Sequence, residues 1–143
     1  MSYVINSEVN SKAISSVDPA AAQSAGDVTG ATLDKQAGTN GIYTEAQVIV
    51  QTGDVTGSPS AQSVTVKVQH KQNSGDSWVD ITDTKIVTAA TIVMDKQQVK
   101  VMGIDLKATK RYVQVIYTVA FTSGTSPKIY LGAIMQLLRP RTV

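Results

Sequence analysis

Period-two alternation of β-branched residues is the feature that most restricts this chain. Val64, Val66 and Val68 alternate with Thr65, Lys67 and Gln69 before His70, and Val113, Val115, Tyr117, Val119 and Phe121 take every second position of another run. Successive side chains of a strand point to opposite faces, so this spacing puts an apolar set on one side and a polar set on the other, which a helical period cannot do. Ala46, Val48 and Val50 repeat the pattern earlier in the chain. In the last run, Ile129, Leu131, Ala133, Met135 and Leu137 share one face, while Tyr130, Ile134 and Leu138 lie on the other. An antiparallel strand that is apolar on both faces is either central and covered twice or part of a subunit interface.

Turn chemistry separates these runs. Gly53 to Ser60 and Ser123 to Pro127 are turn clusters, and Asn73-Ser-Gly-Asp76 reads as a hairpin connection whose return strand is Ser77 to Ile81. Shorter apolar runs fall at Ile86 to Met94 and Val99 to Met102. Six to eight short strands without an amphipathic helix predict an all-β, antiparallel β-sandwich or jelly-roll-like domain over residues 41–143. Residues 1–40 are rich in Ser, Ala, Thr, Gly and Asn. They read as an extended N-terminal arm with short strands, packed on or continuous with the domain. Its best alternation is Ala13 to Val17, and Ala20 to Gln23 could nucleate one turn of helix.

With 143 residues and no cysteine, the chain is the size of one domain that must hold itself together by packing, without disulfides or thiolate metal sites. A net charge of +2, a charged fraction of 17% and an aromatic fraction of 5% provide neither a basic stripe nor a base-stacking platform, so nucleic acid is not an expected partner. No apolar run of about 18 residues occurs, and Met1 to Glu8 lacks the pattern of a signal peptide. A membrane is therefore not expected either.

No residue set makes a catalytic or metal centre. Gly-Asp-Val-Thr-Gly occurs at Gly26–Gly30 and Gly53–Gly57, but a valine separates each acid from its threonine, unlike an aspartic-protease dyad. Two turns of similar chemistry are the expected reading. His70 is the only histidine and lacks zinc co-ligands, so a strand-end imidazole that packs or bonds a backbone carbonyl is expected. Asp76, Asp80 and Asp83 do not fit a calcium loop and should serve turns or face water. Trp78, the only tryptophan, either anchors the core edge of the hairpin or stacks on a sugar. Arg139 and Arg141 flank Pro140 in a tail suited to an acidic partner. No cofactor is implied, and no enzymatic activity.

Three blocks together resemble the small capsid decoration (cement or auxiliary) proteins of tailed bacteriophages. They are the valine strand into His70 with Ser74-Gly-Asp-Ser-Trp-Val-Asp-Ile81; Gly103-Ile-Asp-Leu106 followed by Lys110-Arg-Tyr-Val-Gln-Val115; and Ile129-Tyr-Leu-Gly-Ala-Ile-Met-Gln-Leu137. The resemblance covers roughly residues 43–138. The chain departs from it at Lys71-Gln72-Asn73, where the group shows a serine and acidic residues.

The resemblance implies a structural virion protein, made in the host cytoplasm and placed on the outer capsid surface. It would bind the major capsid protein, stabilise its lattice, and form a dimer or trimer there. The residues expected to touch partners are Tyr3, Val4 and Ile5 with Ile14 in the arm, Tyr130, Ile134 and Leu138 on the last strand, and Arg139 and Arg141 in the tail. The competing expectation is a carbohydrate- or receptor-binding module of a phage tail or surface array, which should expose Trp78 and several tyrosines on one face.

Overall fold

The computed structural model describes residues 11–139. Apart from one 3-10 turn at Asn40–Ile42, the regular structure is strand. In chain order these are β1 (Ser11–Val17), β2 (Ala22–Gln23), β3 (Gly26–Thr29), β4 (Leu33–Asp34), β5 (Glu45–Thr56) and β6 (Ala61–Lys71), then β7 (Val79–Asp80), β8 (Ile92–Met94), β9 (Val99–Asp105), β10 (Tyr112–Thr122) and β11 (Lys128–Leu138).

They form two antiparallel sheets. Sheet 1 runs β1-β11-β5-β9, with β2 also on β11; sheet 2 runs β3-β10-β6-β7, with β4 on β10 and β8 on β6. Treating β3/β4 and β7/β8 as two interrupted strands shows the logic of the order. β1 pairs with β11, β3/β4 with β10, β5 with β9, and β6 with β7/β8. The first half of the chain thus pairs with the second as one long hairpin closed at Asn73–Asp76, and that ribbon is wrapped into two layers. This is the jelly-roll connection.

The core lies between the layers and is built from the alternating positions. Val48 and Val50 of β5, Val64, Val66 and Val68 of β6, and Val113, Val115, Tyr117 and Val119 of β10 are buried, as are Ile129, Leu131, Ala133, Met135 and Leu137 of β11. Each buried branched side chain is worth about 1.5–3 kcal/mol relative to exposure. Among the described residues Tyr117 is the one large polar-tipped side chain in the core, and its hydroxyl lies 2.8 Å from Ser16 Oγ of β1. Burial pushes its phenol up to about 12, partly offset by that hydrogen bond.

Residues 11–34 are built into both sheets, because β1 and β2 run along β11 while β3 and β4 run along β10. No helix forms at Ala20 to Gln23. Ala22 and Gln23 instead pair with Tyr130 and Ile129, and ladder bonds to an existing strand win over the cost of nucleating an isolated helical turn. The expected return strand at Ser77–Ile81 shrinks to Val79–Asp80, and the run Ile86–Met94 is strand only from Ile92. Between them the chain leaves sheet 2, and Val87 bridges to Ile104 on β9, covering that edge.

The two Gly-Asp-Val-Thr-Gly segments are not two turns, as the sequence led us to expect. Gly26–Thr29 is β3, whereas Gly53 and Asp54 form a bulge in β5 opposite Tyr130, between the pairs Thr52–Leu131 and Val55–Ile129. Val28 and Val55 are both half-buried against the core, so the β-branched centre of each copy pulls it into a strand.

Candidate interaction face

The outer faces of the two sheets differ in chemistry. On sheet 1, β11, β5 and β9 each turn apolar side chains outward. One cross-strand row is Ser15–Ile134–Ile49–Val101, and the next is Gly132–Gln51–Val99. Val99 is 57% exposed, Val101 53%, Tyr130 42% and Ile134 42%, the largest apolar side chains left open on this side. Neither row carries a charge; the formal charges of this face stand at its ends, with Glu45 opposite Asp105 at one and Asp54 and Lys128 at the other.

The middle of the face is hollowed at Gly132. Pro19, just beyond β1, sits where a side chain there would lie, 2.8 Å from the position of a Cβ. Ile49, Val99, Ile134 and Pro19 bound a depression of about 220 Å³, and a second of about 200 Å³ continues from Gly132 to Tyr130. Both are shallow and open.

Sheet 2 leaves Val93 of β8 open on its outer face, 49% exposed, but is otherwise a mainly polar surface whose groups bond one another. Lys67 Nζ donates to Asp80 at 3.1 Å, Gln69 Nε2 to Asp80 at 2.7 Å, Gln114 Nε2 to Gln69 at 2.9 Å, and Thr118 Oγ1 to Asp27 at 2.7 Å. Arg111 grips Asp34 through two bonds of 2.9 Å. The Gln69 and Lys67 hydrogen bonds hold the Asp80 carboxyl below its usual range, and Arg111 does the same for Asp34. The half-buried Trp78 is covered by its own chain, with Lys71 Nζ 4.6 Å from the ring centroid; the Arg111 guanidinium lies 4.8 Å from that of Tyr112.

The other sequence candidates are structural. Asp27 and Asp54 lie in different sheets and cannot share a proton. Asp76 accepts from Asn73 N–H and Asp83 from Lys85 N–H, each closing a turn, while Asp80 belongs to the polar ladder. His70 Nδ1 accepts from the Lys110 amide at 3.1 Å, a backbone donor rather than the expected carbonyl. Burial, then Lys110 and Lys35, push its pKa down, so the ring stays neutral at physiological pH. Among the described residues no group of three or more His, Cys, Asp and Glu could hold a metal ion, and no helix is long and apolar enough to cross a membrane.

Of the expected contact residues, Tyr130 and Ile134 stand open on the outer face of sheet 1, and Leu138 is half-buried at its end beside the half-buried Arg139. Ile14 pairs with the inward Met135 and packs on the margin of the core. Tyr3, Val4, Ile5 and Arg141 lie outside the described residues. Sequence reasoning missed Ile49, Val99 and Val101. Their signal was available in β9, where outward Val99 and Val101 interleave with inward Met102 and Ile104, as the two apolar sets do in β11. No protein-family model matches the chain, and no curated protein matches its sequence.

Proposed function

We propose that this is a structural virion protein, a decoration protein that binds the outer surface of a phage head and stabilises the lattice of the major capsid protein. One observation carries the reading: the outer face of sheet 1 holds a shallow, largely apolar patch of Ile49, Val99, Val101, Tyr130 and Ile134, its charges kept to the ends of the strands, on a frame fixed by a continuous core. A face of this kind suits broad contact with another protein surface. Jelly rolls occur in capsid and lectin domains alike, so the fold by itself does not choose between them. The placement of the aromatic side chains favours the structural reading. Among the described residues Tyr117 is in the core and Tyr130 is on sheet 1, while Trp78 and Tyr112 flank Lys71, whose Nζ lies 4.6 Å and 6.0 Å from their rings where a sugar would stack.

Such a protein acts by mass action. Each copy that bridges two capsid subunits adds binding free energy to the assembled shell and none to its separated parts. Many equal weak contacts then hold as one.

The test is co-sedimentation with phage heads that lack the protein, followed by heating of coated and bare shells. Saturation at a fixed ratio to the major capsid protein, with coated shells surviving higher temperature, is the expected result. Binding to host glycans or to tails, with none to heads, would instead establish the carbohydrate- or receptor-binding module.

A further inference from the structure

A β-sandwich has four sheet edges, and three of them here are closed or broken. On β9, the Thr88 amide donates to the Gly103 carbonyl and the Asp105 amide to the Ile86 carbonyl, while Lys100 Nζ reaches across to the Val93 carbonyl. In sheet 2, the β6 side carries only β7 and β8, of two and three residues, and the β10 side carries β3 and β4, of four and two. Short or interrupted edges are how natural sheets avoid accidental pairing.

The β1 edge is different. It is a seven-residue strand on the outside of sheet 1. Among the described residues, the main-chain bond to its outer side is Ala31 N–H to the Ser16 carbonyl, where the register shift between Ser15 and Val17 ends the regular ladder. Lys12, which could guard the edge, is turned aside to Asn40 Oδ1 at 3.0 Å. That leaves Lys12 to Ser15 as an open stretch of strand with small or uncharged side chains at its middle.

We propose that a second copy of this chain pairs antiparallel with β1 across a two-fold axis passing close to Ile14. Three features select a second copy over an extended segment of another protein. An antiparallel pair about a two-fold at Ile14 sets Ile14 against its own counterpart, Ala13 against the other copy's Ser15 and Lys12 against its Ser16, so no like charges are brought together. Directly opposed side chains lie on the same side of a sheet, so the two Ile14 side chains, each only half-buried at the core margin, would complete one another's burial. Among the described residues a copy has a single open edge, so pairing closes at two chains and does not grow into a fibre.

The consequence is geometric. Sheet 1 continues from one copy into the next, and the two apolar outer faces become one surface on the same side. This dimer forms in the isolated protein, so its test is independent of head binding.

Because the chain has no cysteine, single-cysteine variants report on the contact without background. Ala13→Cys and Ser15→Cys replace exposed residues of β1, and Ser74→Cys, exposed in the hairpin loop, is the control. Under mild oxidation at tens of micromolar protein, an equimolar mixture of Ala13→Cys and Ser15→Cys, which face one another across the axis, should cross-link into a mixed dimer ten-fold or more faster than Ser74→Cys cross-links with itself. The unmodified chain should sediment at twice its 15.1 kDa. A monomer at 100 micromolar, a mass of three chains, or cross-linking of Ala13→Cys with Ser15→Cys no faster than of Ser74→Cys with itself would overturn the proposal.

Discussion

At the scale of single residues, the informative positions are polar groups placed where an apolar residue would fit. Tyr117 is one. The Tyr117→Phe variant keeps the ring in the core and loses only the bond to Ser16, so urea unfolding should show a loss of about 0.5–1.5 kcal/mol. The buried phenol also has a pH signature. Its pKa rises on folding from 10.0 to about 12, so the unfolded state loses its proton first and folding is progressively disfavoured across that interval. Roughly 2–3 kcal/mol should disappear between pH 10 and 12 in the wild type, less in Tyr117→Phe. His70 acts at the other end of the scale. Its pKa falls below 6.5 on folding, so its contribution is present above pH 6.5 and is lost as pH drops through the lower folded value. Unfolding curves of His70→Gln should lack that part of the acid decline. The alternation identified Tyr117 as inward-facing, but its Ser16 partner lies 101 residues away and left no local trace.

At the scale of elements, the long strands were legible and the short ones were not. β6, β10 and β11 each combine a buried apolar set with many residues of alternation. β7 and β8 are two pieces of one edge, parted by a detour that makes its contacts on the other sheet, and nothing in the local sequence marks the break. β2, β3 and β4 owe their extended shape to pairing with β10 and β11, a non-local cause.

The turn clusters after β5 and β10 were also visible, but their interlock was not. Thr125 N–H donates to the Gly57 carbonyl at 2.9 Å, and Ser58, Ser123 and Ser126 all take positive φ in these loops. Gly57 has φ +82°, and a Cβ there would lie 2.5 Å from the Thr125 carbonyl oxygen. Gly57→Ala should therefore lower stability by about 1–3 kcal/mol in chemical denaturation. Gly75→Ala, where a Cβ meets nothing within 4 Å, should stay within about 0.5 kcal/mol of wild type.

At the scale of the whole molecule, strand order links the ends of the chain. β1 pairs with β11 and β3 with β10, so folding must close nearly the full chain before the last ladders form. Stopped-flow refolding should therefore be slow, on the order of milliseconds to seconds, as for other sheets dominated by distant pairings. The two-faced character of β11 pointed to an interface from the sequence alone. What the sequence left open was which neighbours extend that face, because Ile49, Val99 and Val101 join Ile134 only through strand register.

Head binding by face-specific variants addresses the central claim most directly. Ile134→Lys places a charge in the middle of the exposed row on sheet 1, and Lys67→Glu changes the outer face of sheet 2. Both positions face outward, so far-ultraviolet circular dichroism and melting should confirm that each variant folds. Co-sedimentation with decoration-free heads should then fall ten-fold or more for Ile134→Lys and stay near wild type for Lys67→Glu. Full binding by a folded Ile134→Lys, or loss confined to Lys67→Glu, would contradict the assignment of sheet 1 as the capsid-binding face.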